Sequence, residues 1–299
     1  MAKEEFNTLT NESLQEILRQ VKENKKYKTF ADSVVKKEID KYIKQKKVKE
    51  ITKQDIKKIR AKLHLKYASF QTKKKKKRIL YINELRQLLE IRNPSFKDLN
   101  NIKEINNKLL SMTISTKERI KDYKKIYKQI FKITGKPSSI IDLGSGLNPL
   151  SYPYMNINKL DYSAFDIDEE DIKFLNQYFK IMKSHGLNGK AAILDLQDKL
   201  QISKLPSTDI IFLFKVIDIV NQSEKNYKAS EELIKQITLK TKFIVASFPT
   251  KTITRKEMNY PARKWFELML QRNNLDFKII KTNNEIFYVI KNLFDISNV

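Results

Sequence analysis

Residues 140–150 read IIDLGSGLNPL, an apolar run that stops at Asp142, turns through Gly144 and Gly146, and closes on Asn148-Pro149-Leu150. Glycine tolerates positive φ and lets a ligand approach the main chain closely, so such a turn suits a small molecule laid against backbone. Four other apolar runs also end on residues able to do chemistry. AFDID ends on Asp166 and Asp168, ILDLQD on Asp195-Leu196, FLFKV on Lys215, and KFIVASFP on Ser247-Phe248-Pro249. In doubly wound sheets ligands bind beyond the carboxyl ends of the strands, so these residues are expected to converge on one site.

The residue types suit an adenosine ligand. Asp166, 24 positions past Asp142, can accept both ribose hydroxyls, and Asp195 can accept from the exocyclic amine of adenine. The glycine loop holds no lysine or arginine and GxxxxGKS/T is absent, which argues against a triphosphate. The third glycine that a dinucleotide pyrophosphate needs is replaced by Asn148. S-adenosylmethionine has no phosphate, and its sulfonium and amino groups favour an acid-lined pocket. DLGSG alone is a weak signal. Acids ending the next two strands strengthen it. A separate segment, STKER at residues 115–119, has two readings. Spacing favours a helix cap by Ser115 or Thr116 with Glu118; the other reading aims Arg119 at a ligand carboxylate through two parallel hydrogen bonds.

Seven short apolar runs after residue 137 supply the strands: SSIIDLG, LDYSAFDI, GKAAILDL, DIIFLFKV, KFIVASFP, DFKIIKT and EIFYVIKN. Helical segments DEEDIKFLNQYFKIMKSH, SEKNYKASEELIKQIT and ARKWFELMLQRN lie between them. That alternation predicts a mostly parallel sheet covered on both faces, and the short link TNNE predicts a C-terminal antiparallel hairpin. Residues 1–112 contain no glycine, and their apolar residues recur at helical spacing. Leu14, Ile17, Leu18 and Val21 mark one helix, with Ser13 and Glu16 as an expected capping box. Val34, Val35, Ile39 and Ile43 mark a second. Ile56, Ile59, Leu63 and Tyr67 mark a third, opened by Thr52 and Asp55. A fourth runs through RILYINELRQLLEIR and stops before Asn93-Pro94. The expected organisation is a basic helical domain over 1–112 and an α/β domain over 113–299.

Charge follows the same division. The formal net charge is +25, and residues 1–136 hold 38 Lys/Arg against 16 Asp/Glu, a surplus of +22. A helical half carrying nearly all the positive field reads as a polyanion-binding module. Lysine enrichment across a biased proteome would spread the charge evenly instead. No helix pairs a basic face with a Trp/Phe/Leu face, which argues against a membrane surface. The run Lys73, Lys74, Lys75, Lys76, Lys77, Arg78 is either a solvated charge run or a phosphate-contacting patch; a nuclear localisation signal ranks below both. No run of about 18 apolar residues exists, and MAKEEFNTLTNESLQ lacks the apolar segment of a signal peptide, so a cytoplasmic location is expected. The absence of cysteine excludes disulfides, cysteine metal cages and thiolate nucleophiles, and no metal is expected.

STKER, IIDLGSGLNPL, AFDID, FLFK, SFP and MNYPARKWFE occur in that order, and together they resemble the 16S ribosomal RNA guanine-N7 methyltransferases that confer aminoglycoside resistance. That family's pattern is an STxER segment, a DxGxGxNPL loop, YDID, FLLK, SFP and WFE. KENKKY and KKIRAKLHLKYASF extend the likeness into the N-terminal half, so it covers most of the chain. The NPL extension and the STxER, SFP and WFE segments are the specific part. The resemblance implies an S-adenosylmethionine-dependent methyltransferase fold, Rossmann-like, preceded by a helical domain that docks on the small ribosomal subunit and its 16S rRNA. It implies Arg119 as holder of the methionine carboxylate, reversing the preference from spacing. The loop Asp142, Gly144, Ser145 and Gly146 becomes part of the cofactor site, with both glycines lining the methionine. Asp166 becomes the ribose holder, and Asp195 with Leu196 the adenine wall. Lys215, Ser247, Phe248 and Pro249 would border the target base as catalytic residues. The chain departs from the family at Thr113, where histidine is usual, at Ser145, where cysteine or alanine is usual, and in the Pro261 and Arg263 lead-in to Trp265.

Guanine N7 carries a free lone pair, so it can attack a sulfonium methyl without losing a proton, and positioning outweighs base catalysis. His64 and His185 are read as structural or exposed. SFPT stands where an NPPY-type motif for exocyclic amines would lie. A lysine-based ribose 2′-O centre would have only Lys251 to partner Lys215. An extruded guanine would stack on an aromatic ring, and Phe248 and Trp265 are the candidates. Two other functions compete: a methyltransferase of the same fold acting on another atom, such as adenine N1 or a transfer RNA, and a non-enzymatic basic RNA-binding protein.

Overall fold

The computed structural model describes residues 11–46, 51–67, 77–91, 95–221, 227–252, 256–258 and 261–292. The chain forms two compact units. One comprises Met1–Ser69 with Ile167–Glu170, and the other Phe70–Asp166 with Asp171–Val299. The helical half is therefore divided between the units at residue 69 rather than kept whole to residue 112.

The smaller unit is built from α1 (Asn11–Lys22), α2 (Asp32–Lys46) and α3 (Lys53–Tyr67). Its core joins Ile17, Leu18 and Val21 to Val35, Ile39, Ile56, Ile59 and Leu63, the positions expected from helical spacing. Thr52 and Asp55 form the expected box at the start of α3: Asp55 N–H donates to Thr52 Oγ1 at 3.3 Å, and Thr52 N–H to Asp55 Oδ2 at 3.0 Å. Ser13 is not a cap, because α1 already begins at Asn11.

The larger unit holds α4 (Arg78–Leu89), α5 (Phe96–Leu110), α6 (Ile114–Arg119) and α7 (Tyr123–Thr134) ahead of the sheet. The strands are β1 (Ser139–Leu143), β2 (Leu160–Asp166), β3 (Leu187–Ile193), β4 (Thr208–Phe214), β5 (Thr241–Pro249), β6 (Asp276–Lys281) and β7 (Glu285–Lys291). Between them run α8 (Glu169–Met182), α9 (Lys199–Ser203), α10 (Ile217–Asn221), α11 (Lys228–Thr238) and α12 (Lys264–Arg272). The sheet order is β3-β2-β1-β4-β5-β7-β6, and β6 and β7 pair antiparallel across Thr282–Asn284. All seven expected strands form, with the predicted hairpin at the edge. β4 shows why the central strands read as unbroken apolar runs: its residues alternate between two cores. Ile210, Phe212 and Phe214 pack with Tyr123, Ile126 and Tyr127 of α7 and with residues of α4, α5 and α8. Ile211 and Leu213 pack with Leu233, Ile234, Phe266 and Leu270 of α11 and α12. Helices α4 and α5 thus belong to the core of the sheet unit. α5 was not separately legible in the sequence; Ser95 and Asp98 open it with a capping box.

Candidate cofactor and target-base site

The loop after β1 is fastened from both sides. Gly144 and Ser145 N–H groups donate to the Phe165 carbonyl at 2.8 and 2.9 Å, and Gly146 N–H donates to Asp166 Oδ2 at 2.8 Å. Gly144 has φ +69, and a Cβ there would lie 2.4 Å from Val216 Cγ1, so only glycine fits. At Gly146 a Cβ would meet nothing within 4 Å, so the loop faces open space on that side.

Asn148, the family-specific position, holds this loop to the strand end. Its Nδ2 donates to Asp142 Oδ2 at 2.9 Å, its Oδ1 accepts from Tyr123 at 3.1 Å, and its backbone N–H closes on the Ser145 carbonyl. Pro149 then starts a tight 3-10 segment, Asn148–Tyr154, pinned where Tyr127 and Ser151 hydroxyls meet at 2.6 Å. Asp142 is fully buried. Tyr162 donates to its Oδ2 at 2.6 Å, while its Oδ1 has no hydrogen-bond partner. Burial pushes its carboxyl up to about 6, against the pull of the Tyr162 and Asn148 hydrogen bonds and the Arg119 charge. Ser145 Oγ is likewise buried without a partner. Buried polar atoms are normally paired, so two orphaned acceptors beneath a glycine loop fit a bound group carrying an ammonium. A phosphate would meet only repulsion from Asp142.

Asp166 ends β2 with its carboxylate on the loop, and its carbonyl accepts from Leu194 N–H at 3.1 Å, which sets it beside the end of β3. Just past that end, Asp195 is buried, its Oδ1 receiving Gln197 N–H at 2.9 Å. Leu196 packs on the second core, 3.8 Å from where a Gly144 Cβ would stand. Asp142, the glycines, Asp166, Asp195 and Leu196 therefore share the carboxyl ends of β1–β3.

STKER lies within α6, whose N-cap position is Thr113 rather than Ser115 or Thr116, and Thr113 makes no side-chain capping hydrogen bond. Thr113 and Thr116 hydroxyls meet at 2.6 Å, and Thr116 Oγ1 also reaches the Leu110 carbonyl, so the residue replacing the family's histidine is tied up in a local hydroxyl pair. Glu118 is not a capping partner either: its Oε2 accepts from Lys215 Nζ at 2.7 Å. Arg119 is 3% exposed and donates through Nε and Nη2 to Glu285 at 2.8 Å each. Glu285, 1% exposed, also lies 3.5 Å from Lys215 Nζ and accepts from Ser247 Oγ. Burial pushes the Glu285 carboxyl up, and the Arg119 and Lys215 cations more than offset this, leaving it below the ordinary range. Glu285 escaped the sequence reading because it sits in the hydrophilic link TNNE. Its one signal is that it begins an otherwise apolar strand, and it is placed at the site by pairing with Pro249.

Lys215 holds φ +61, uncommon for a lysine, with its N–H donating to Ser247 carbonyl and hydroxyl at 3.1 Å each. Such strain clusters at functional sites. Two expectations change here. Ser247 and Phe248 are both fully buried. Ser247 orients Lys215 and Glu285, and Phe248 packs edge-on against Phe266, Tyr288 and Trp265; neither offers a face to a target base. Pro249 is half-buried, and Trp265 is half-buried with Tyr227 stacked on it. Arg78 also departs from the expected phosphate patch: it is buried, 2.5 Å from Asp171, with its guanidinium over the Phe174 ring. Lys77 is exposed, and Lys73 to Lys76 lie outside the described residues. Among the described residues no group of His, Asp and Glu could hold a metal, and no helix is long and apolar enough to cross a membrane.

The chain is similar to several known proteins. The 16S rRNA (guanine(1405)-N(7))-methyltransferase of Proteus mirabilis is 28% identical over 302 aligned positions, covering 95% of this chain and 99% of that protein. The 16S rRNA methyltransferase RmtF, solved with S-adenosyl-L-homocysteine, superposes with TM-score 0.69 at 18% identity over 95% of this chain and 99% of its own. An rRNA methylase from Escherichia coli superposes with TM-score 0.65 at 21% identity, covering 93% and 99%. At such identities the two structures speak to the fold. The family model described as ribosomal RNA methyltransferase (FmrO) matches residues 23–289, and the chain belongs to that family.

Proposed function

We propose that this protein transfers a methyl group from S-adenosylmethionine to N7 of a guanine in 16S rRNA of the assembled small ribosomal subunit, in the cytoplasm. The observation that carries the cofactor half of this reading is the buried, orphaned Asp142 Oδ1 beneath a glycine loop tied to Asp166. The target follows from family membership and from the relative of Proteus mirabilis named for that reaction.

When bound, S-adenosylmethionine supplies an electrophilic methyl on a sulfonium. Asp142 would accept from its amino group, Arg119 would attract its carboxylate, Asp166 would accept from its ribose and Asp195 from its adenine amine. Transfer of that methyl to N7 would exchange the S–CH3 bond for an N–CH3 bond and pass the positive charge from sulfur to the base, so the site would need no proton acceptor. The site matches that demand. Lys215 donates to Glu118 and is held by Ser247, which makes it a positioned cation rather than a base. Glu118, Asp142 and Asp166 keep the surroundings acidic where the methylated base becomes cationic. The basic helices of the smaller unit and the Lys73 to Lys77 run supply sequence-independent attraction to phosphates. N7-methylation removes an acceptor and adds positive charge, which repels a cationic aminoglycoside and gives resistance without altering the drug.

Radiolabelled methyl transfer to purified small subunits, followed by borohydride and aniline treatment, tests the reading. Strand scission at one guanine is expected. Methyl incorporation without scission would move the target to another atom, and no incorporation would refute the activity.

A further inference from the structure

The Tyr227 ring lies face to face with the Trp265 indole, centroids 4.1 Å apart and planes 11° from parallel. Tyr227 is 45% exposed, so its outer surface is open to solvent. Its backbone stands at φ +56, ψ +9 at the N-terminus of α11, a left-handed conformation that a tyrosine rarely adopts. The turn is fixed from below: Ser230 Oγ donates to the Tyr227 carbonyl at 2.9 Å, and Ser230 N–H to Asn221 Oδ1 at 3.3 Å. Trp265 is braced by edge contacts with Phe266 at 5.4 Å and Phe248 at 6.2 Å. Phe248 directly follows Ser247, which holds Lys215 and Glu285. A stacked double ring with Tyr227 exposed thus follows β4 and β5 in the chain, at the N-terminal ends of α11 and α12. Phe248 is too buried to stack on a base, and the face of Trp265 turned to Tyr227 is covered, which leaves Tyr227 as the open surface.

We propose that Tyr227, backed by Trp265, is the stacking platform for the extruded target guanine. This rests on the methyltransferase reading above and adds the residue that receives the base. Base–aromatic stacking needs an exposed flat face and tolerates any base. Methylation makes the guanine cationic, and a cation over an electron-rich face is attracted further, so the platform holds the product base more tightly than the substrate base.

Trp265 is the chain's single tryptophan, so intrinsic emission reads the stack directly. The full-length protein is titrated with 7-methylguanosine, guanosine and uridine monophosphates while Trp265 emission is followed. Methyl transfer to purified small subunits is measured for wild type, Tyr227→Ala and Tyr227→Phe. The expected order of quenching is 7-methylguanosine, then guanosine, then uridine. Tyr227→Ala is expected to lower turnover about 5- to 150-fold and Tyr227→Phe by no more than about twofold, both with unchanged S-adenosylhomocysteine affinity by calorimetry. Wild-type turnover in Tyr227→Ala, equal damage in both variants, or no preference for the methylated guanine overturns the proposal. If wild type transfers no methyl to small subunits, the reaction assignment fails instead, and the quenching series still decides the platform.

Discussion

Glu285→Gln removes one charge from the centre of the buried cluster and little else. In the wild type the carboxylate takes two Arg119 donors at 2.8 Å, lies 3.5 Å from Lys215 Nζ and accepts from Ser247. Arg119 and Glu285 are 3% and 1% exposed, so solvent cannot replace the lost charge. Glutamine offers one acceptor and turns an NH2 toward the guanidinium. Removing one partner of a buried ion pair costs about 3–5 kcal/mol. At about 2–4 °C per kcal/mol for a unit of this size, Tm should fall by roughly 6–20 °C. The cofactor assignment adds a second expectation. At one hundred times Kd a ligand stabilises by about 2.7 kcal/mol. In the variant the carboxylate of S-adenosylhomocysteine meets an uncompensated Arg119, so at equal ligand concentration the variant should gain more than the wild type. Calorimetric melts with and without S-adenosylhomocysteine measure both quantities. A Tm within about 2 °C of wild type, well below the shift expected for a buried pair, would show that Glu285 does not hold the cluster. A lowered Tm without extra stabilisation by ligand would remove Arg119 from the carboxylate site.

Three further outcomes are expected. The Asp142 carboxyl, pushed up to about 6 by burial, binds more protons folded than unfolded between the ordinary aspartate value of 3.8 and that pH. Its contribution therefore makes stability fall as pH rises through this window. Cofactor affinity moves the other way, because the ammonium needs the ionised form: Kd should rise as pH drops below about 6, and Asp142→Asn should flatten that dependence in calorimetric titrations. Gly144→Ala places a Cβ 2.4 Å from Val216 Cγ1 at φ +69, so the loop must shift; cofactor binding should weaken by tenfold or more, about 1.4 kcal/mol, while replacing Val216 by Ala as well should restore part of it. Replacing Lys73 to Lys77 by alanine should lower the salt dependence of RNA binding by about 0.7–0.9 per lost phosphate contact and leave S-adenosylhomocysteine affinity unchanged by calorimetry.

Local order determined much of what was legible. From Ile210 onward β4 is buried on both faces, so IIFLF is apolar throughout and announces a central strand. The loop glycines, Asp166 and Asp195 follow apolar runs in sequence, and a parallel sheet brings all such ends to one edge, so the cofactor side of the site could be listed from spacing. The divided helical half was not legible. Apolar positions on α4 and α5 show that those helices bury a face, but not that the face is the sheet core shared with Tyr123 and Phe212. The partners of charges were equally hidden. Arg119 and Glu285 are 166 positions apart, and only the antiparallel return of β7, pairing Glu285 with Pro249, brings a hydrophilic turn residue under α6. Arg78 read as the last member of a basic run, whereas the fold turns it inward to Asp171. Sequence spacing reports which face of an element is buried, because period is a local property. The partner of a buried charge depends on long-range chain closure, and that was decided by the tertiary structure alone.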